Sequence, residues 1–262
     1  MLAFSFLVQA LLGALLSSLS LALFSPFVTL RRISYLGEAL SHIAFAGIAI
    51  ALLLGLNLEW PTLLFVVAVS LAIGWLSRRR QFDEANTITI FLSVSMALGI
   101  MLISLRKGFT FDLASYLFGN VLLVSAADLW RLGGLVALNL LVIGGLWKEL
   151  FYLSYNYDLA KFYRVPAGLV NRIFLVVMAL NIVINLKAAG IILVTAQLIL
   201  PAATAFNLVR RLPAAVLVSA LVALISAGAG FALSWWLNIP TGASIVLLEF
   251  ALFLLSLLIK RK

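Results

Sequence analysis

The chain of 262 residues has no cysteine, one histidine, and charge on only 10% of its positions. Without cysteine there is no disulfide, no thiolate zinc site, no iron–sulfur cluster and no thiol nucleophile. One histidine excludes the multi-histidine zinc hydrolases. The patterns H-E-x-x-H, G-x-x-x-x-G-K-[ST] and G-x-S-x-G are also absent, so the chain encodes neither a zincin, nor a P-loop ATPase, nor a nucleophile-elbow hydrolase. A soluble globule of this size carries about 25% charge. Nine acidic and eighteen basic residues cannot coat such a surface, and no stretch leaves room for a large soluble domain. What is abundant is apolar: 65% of the residues, at a mean hydropathy of +1.22. The net charge of +9 flanks apolar runs, a pattern that orients a protein in a bilayer and does not indicate nucleic acid.

A spanning helix takes about 20 apolar residues. The chain offers about nine such runs (eight to ten), at 5–30, 38–56, 60–77, 86–105, 129–147, 171–188, 189–207, 213–237 and 242–259. The expected fold is an all-α integral membrane protein with a single transmembrane domain over 1–262. No Lys or Arg precedes the first run and no small-x-small cleavage site follows it, so it is expected to be a retained helix. Cytoplasmic loops collect Lys and Arg. An external N-terminus places fourteen basic residues inside: Arg31, Arg32, Arg78 to Arg80, Lys148, Lys161, Arg164, Arg172, Arg210, Arg211 and the terminal Lys260, Arg261 and Lys262. Four stay outside: Arg106, Lys107, Arg131 and Lys187. The odd number of spans then leaves the C-terminus inside.

Two connections exceed a turn. The segment 106–128 is apolar in its middle, broken by Gly119-Asn120, and reads as an outer interfacial helix or a re-entrant segment. The inner connection 148–170, KELFYLSYNYDLAKFYRVPAGLV, is rich in aromatics and mixed charge, and predicts a short helix around 157–164 that stops before Val165-Pro166. FVTLRR at 27–32 recurs as FNLVRR at 206–211, each followed by a span closing near Asn57–Thr62 or Asn238–Thr241, a faint sign of duplication.

Ionisable groups inside a bilayer are costly and mark water paths or bundle interiors. Three qualify: Glu38, His42 and Glu249. Glu38 and His42 are four apart in GEALSHIAFAG and share one helix face, with Ser41 beside them and Gly37 and Gly47 allowing close backbone approach. The pair can bind a divalent cation, relay a proton, or satisfy one another. Glu249 stands alone in IVLLEFALF, either on a transport path, or a carboxyl kept protonated by burial, or one bonded to a polar group of another helix. Asn139, Asn181, Asn185, Gln197 and Asn207 read as interhelical hydrogen-bonding groups. Trp60, Trp130, Trp147, Trp235 and Trp236 read as an interfacial belt. With no cysteine and four scattered methionines there is little for Cu(I), and Mg²⁺ or Ca²⁺ gains little from an imidazole, so carboxylate plus imidazole points to Zn²⁺, Mn²⁺ or Fe²⁺.

FVTLRRISYLGEALSHIAFAGIAIALLLG at 27–55 resembles the signature of the membrane permeases of metal-ion (zinc, manganese, iron) ABC importers, of the ABC-3 type. FDLASYLFGNVLLVSAADLW at 111–130, the Tyr-Asp-x-x-Ala pattern leading to Pro at 157–166, AAGIILVTAQLILPAATA at 188–205 and PTGASIVL at 240–247 fit the same family in order. The resemblance implies a vitamin-B12-importer-like permease in a bacterial or archaeal plasma membrane, forming a homodimer. Its implied partners are a cytoplasmic ABC ATPase, which alone handles ATP, and an extracytoplasmic metal-binding protein. It implies no permanently bound cofactor. The family's acid and histidine fall on Glu38 and His42, with Glu where the family has Asp; no family role carries over to Glu249. The 150–166 segment then becomes the ATPase docking element, with Tyr157, Leu159, Ala160 and Phe162 as its surface and Asp158, Lys161 and Arg164 as its polar edge. A proton-coupled secondary carrier, in which Glu38 and His42 relay protons, is the alternative.

Overall fold

A computed structural model describes residues 2–77, 84–105 and 124–259, and every regular element within them is helical. In chain order these are α1 (Leu2–Leu30), α2 (Tyr35–Leu54), α3 (Glu59–Leu76), α4 (Glu84–Ser104), α5 (Ala126–Gly145), α6 (Trp147–Tyr155), α7 (Tyr157–Phe162), α8 (Ala167–Gln197), α9 (Leu200–Leu208), α10 (Leu212–Leu237) and α11 (Thr241–Ile259). Helices satisfy every backbone polar group within themselves, which hydrocarbon demands. Arg78 to Arg80, the terminal Lys260 to Lys262, and 106–123 of the outer segment lie outside the described residues.

Eight helical stretches among the described residues are long and apolar enough to cross a membrane. One of them, 167–208, has 42 residues, about twice what a crossing takes. Gly190, at φ 72° and ψ 169°, breaks it. The bonds to α1 show what the break does. Along the first limb, Asn171 accepts from Arg31, Phe174 packs on Phe24 and Asn185 donates to Ser20, so rising numbers in α8 meet falling numbers in α1. After the break the order reverses: Gln197 donates to Ser18 Oγ (2.8 Å), and the Ala202 amide donates to Ser25 Oγ (3.2 Å). The chain therefore doubles back at Gly190, one residue past the boundary expected between 188 and 189.

Apolar surface gives helices little reason to associate in lipid, so close packing and polar contacts must. A Cβ on Gly47 would stand 2.8 Å from Thr62 Cα, and one on Gly230 would stand 2.8 Å from Ile245 Cα, so α2 meets α3 and α10 meets α11 almost backbone to backbone. Asn139 and Asn181 exchange two side-chain bonds (2.8 and 2.9 Å), and Asn207 donates to Ser256 Oγ (2.9 Å). All five predicted interhelical polar residues thus bond to another helix. Trp147 departs from the expected belt: it is half-buried and meets Phe27 edge to face at 5.9 Å. Trp60, Trp130, Trp235 and Trp236 are exposed near helix ends.

The Arg-Arg pairs after α1 and α9 close two helices of the same direction, and the Asn-to-Thr stretches at 57–62 and 238–241 open α3 and α11. The two copies of the faint repeat thus occupy equivalent places. Below, the end of the bundle that holds Arg31 is the basic end, and the end that holds Glu59 is the opposite one.

Candidate functional site

Helix α2 leaves a tight turn in which Arg32 takes φ 58° and Ile33 N–H donates to Val28 O (3.2 Å). Glu38 sits in its first turn, where the helix dipole favours a carboxylate. Of the most apolar stretch of α2, 72% is buried within the chain. Glu38 is nonetheless exposed and His42 half-buried, in line with Tyr35, which is also exposed. Gly37 and Ser41 occupy the next face round and are buried, and the Ser41 hydroxyl donates to Gly37 O at 2.9 Å. The carboxylate and the imidazole thus share one face, as their spacing predicts, and the fold leaves that face open.

Among the described residues no three His, Asp or Glu side chains come together as a metal-holding group. The open pair offers two donors per chain, one oxygen and one nitrogen. Glu249 lies elsewhere, fully buried in α11, and neither of its oxygens has a hydrogen-bond partner among the described residues. Helix α11 packs on α10 through Ile245 against Gly230 and on α9 through Ser256 with Asn207.

A second charged group escaped the sequence reading. At the opposite end, Arg131 pairs with Glu59 and reaches Asp128 at 3.4 Å, while Lys187 Nζ bonds Asp128 at 2.7 Å, so four charges tie α3, α5 and α8. Asp128 is 8% exposed, a second carboxyl, after Glu249, drawn largely out of solvent. Its signal was the capping box Ser125-x-x-Asp128, whose two reciprocal bonds start α5. Beneath the group opens a cavity of about 440 Å³ walled by Trp60, Leu63, Leu132 and Ile184.

At the basic end, α6 and α7 form a small aromatic platform. Tyr152 stacks on Tyr163 at 4.6 Å and Phe151 meets Tyr155 at 4.9 Å. Ala160 is fully buried and anchors α7, and Arg164 takes φ 56° as the chain leaves it, ahead of Pro166. Lys161, Phe162, Tyr163 and Arg164 are exposed, Phe162 to 79%. The side chains of Tyr157, Asp158 and Leu159 lie outside the described positions.

The family model described as the ABC 3 transport family matches residues 3–260. The manganese transport system membrane protein MntC of Halalkalibacterium halodurans is 35% identical over 256 residues, covering 98% of this chain and 88% of that protein. The high-affinity zinc uptake system membrane protein ZnuB of Haemophilus influenzae is 29% identical, covering 97% of each. Among solved structures, PsaBC from Streptococcus pneumoniae in complex with Fab superposes with a TM-score of 0.83 at 31% identity, covering 96% of this chain and 90% of that one.

Proposed function

This chain belongs to the ABC 3 transport family as a membrane permease subunit, and we propose that it carries a divalent transition-metal ion between two copies of itself, with Glu38 and His42 of each copy lining the path. The observation that supports this reading is the exposed Glu38 on a membrane helix whose remaining surface is largely buried. A carboxylate turned towards lipid costs several kcal/mol, so this face needs water or a protein partner. A second copy related by a two-fold axis supplies both, and doubles two donors to two carboxylates and two imidazoles.

That donor set suits Mn²⁺ and Zn²⁺, the ions in the relatives' names, and Fe²⁺ fits it equally in chemistry. Few protein ligands per copy keep binding weak enough for release. A ligating histidine must be neutral, so occupancy falls as His42 takes up a proton.

In this reading the basic end is cytoplasmic, which puts the N-terminus outside and the C-terminus inside, in the plasma membrane. The platform of Lys161, Phe162, Tyr163 and Arg164 then meets a separate cytoplasmic ABC ATPase; exposed aromatics on so short a connection call for a cover. An extracytoplasmic binding protein delivers the ion at the Glu59 end. Binding at the path, hydrolysis in the ATPase, and opening of the basic end form one alternating-access cycle, with no permanently bound cofactor in the permease.

The test is uptake by the complex reconstituted with ATPase and binding protein in liposomes. Uptake of Mn²⁺ or Zn²⁺ that needs ATP and vanishes in Glu38→Ala and His42→Ala upholds the reading. Uptake by the permease alone under a pH gradient overturns it in favour of a proton-coupled carrier, and preference for Cu(I) or Mg²⁺ overturns the ligand argument.

A further inference from the structure

Residues 191–197 are a short helical piece with a break at each end. Gly190 occupies a backbone region essentially closed to L side chains. Beyond Gln197 the helix stops, Ile199 sits at φ −122° and ψ −55°, and Pro201 stands in the first turn of α9 with no N–H to give. Two turns of helix between such breaks do not hold together without packing. The first limb of α8, by contrast, is tied by the reciprocal Asn139–Asn181 bonds, by Asn185 to Ser20 and by Lys187 to Asp128.

The far end of the short piece is held by one polar bond, Gln197 to Ser18 Oγ at 2.8 Å, and by one apolar contact. Leu198 is fully buried, and its Cδ1 lies 2.5 Å from the point a Cβ on Gly37 would occupy, so the leucine seats where α2 has no side chain. Gly37 precedes Glu38 and lies one helix face round from the Glu38–His42 pair. On the same piece Ile192 and Ile199 are exposed, so its other side is open. The Leu198 seat itself leaves no donor or acceptor unsatisfied when it lifts, and the move breaks one side-chain bond of the piece, Gln197 to Ser18 Oγ, against the several that lock the first limb.

We propose that residues 191–199 form a moving wall of the translocation path, hinged at Gly190, and that Leu198 is the residue that seats this wall on α2 at Gly37, beside Glu38. The proposal rests on the reading of Glu38 and His42 as path residues. In the seated position the wall narrows the path next to the ligand pair; lifted, it widens it.

The absence of cysteine makes the test clean. Leu198 Cβ lies 3.9 Å from the Gly37 Cβ position, within the range of about 3.5–4.5 Å that a disulfide spans. Exchanging Leu198 for cysteine also removes the methyl that a Gly37 side chain would meet. The Gly37→Cys/Leu198→Cys chain is assembled with ATPase and binding protein, oxidised with diamide, and assayed for Mn²⁺ uptake. The expected result is a loss of tenfold or more on oxidation that dithiothreitol reverses, each sample serving as its own control. Full uptake by the cross-linked chain overturns the moving wall.

A second measurement uses Leu198→Cys alone. A water-soluble maleimide should label it several-fold faster during ATP turnover than at rest, whereas equal rates overturn the proposal. Loss of uptake in Glu38→Ala and His42→Ala together with unimpaired uptake by the cross-linked chain removes only the moving wall. Normal uptake in those two variants removes the path itself.

Discussion

Glu38 and Glu249 are the same side chain in the same kind of setting, an apolar helix long enough to cross a membrane, and the fold treats them oppositely. Glu38 stands in the first turn of α2, exposed, with His42 one turn further along the same face. Glu249 stands in the middle of α11, fully buried by its own chain and without a partner among the described residues. The cost of a charge in hydrocarbon falls on both, but only the open one can recover it by meeting water, a cation or a second copy. The comparison teaches that an ionisable residue in a membrane helix becomes a site through the face it occupies; its mere presence is not enough.

The comparison breaks first at Glu38. Glu38→Ala and His42→Ala should each lower metal uptake at limiting ion by about a hundred-fold or more, the equivalent of roughly 3 kcal/mol. Assembly with the ATPase should persist, because neither side chain is buried in the packing of its own chain. Uptake traced with radioactive manganese, beside co-purification of the ATPase, checks both halves.

A smaller effect is expected where polarity serves the bundle. Asn181→Leu removes both bonds with Asn139 and leaves that amide with Ser20 O as its remaining partner in a fully buried place. Interhelical bonds in membrane proteins are worth about 0.6 kcal/mol, up to roughly 1.7, and the orphaned amide adds its own cost. A loss of about 1–3 kcal/mol in unfolding from detergent is expected, with uptake per folded complex little changed. Arg131→Met should matter less. The Arg131–Glu59 pair is about half exposed on both sides, and such pairs contribute about 0–1 kcal/mol.

How far these differences could be read beforehand varies with the residue. The shared face of Glu38 and His42 was legible because a spacing of four is fixed by the helix. That this face is the open one was not, since α2 is apolar nearly all round and its sequence does not distinguish the face of Gly37 and Ser41 from its neighbour. The asparagines were legible as interhelical groups because hydrocarbon offers them nothing else. Their partners were not, for Asn139 and Asn181 are 42 residues apart. Glu59 and Asp128 were passed over, and Arg131 and Lys187 read only as outer-face charges, because charges at the ends of spans are ordinary and only the folded chain brings the four to one place. The break near residue 189 followed from length alone, but an apolar run does not announce which of its glycines takes a positive φ.

The smallest effect is expected at Glu249, and it sharpens the comparison most. Glu249→Gln keeps size and shape and replaces a group that can ionise with one that cannot. If Glu249 only fills its place among α8, α9 and α10, the amide is at least as well tolerated there as the carboxyl, since those helices carry no charged residue over 188–208 and 212–237, and the first limb of α8 carries charge only at Arg172 and Lys187, near its two ends. Uptake should stay within about twofold of the parent, and unfolding should shift by no more than about 0.5 kcal/mol, the scale of a substitution that removes no contact. A loss matching that of Glu38→Ala would place Glu249 on the path instead, and would mean that its burial belongs to one state of the transport cycle and not to the fold as such.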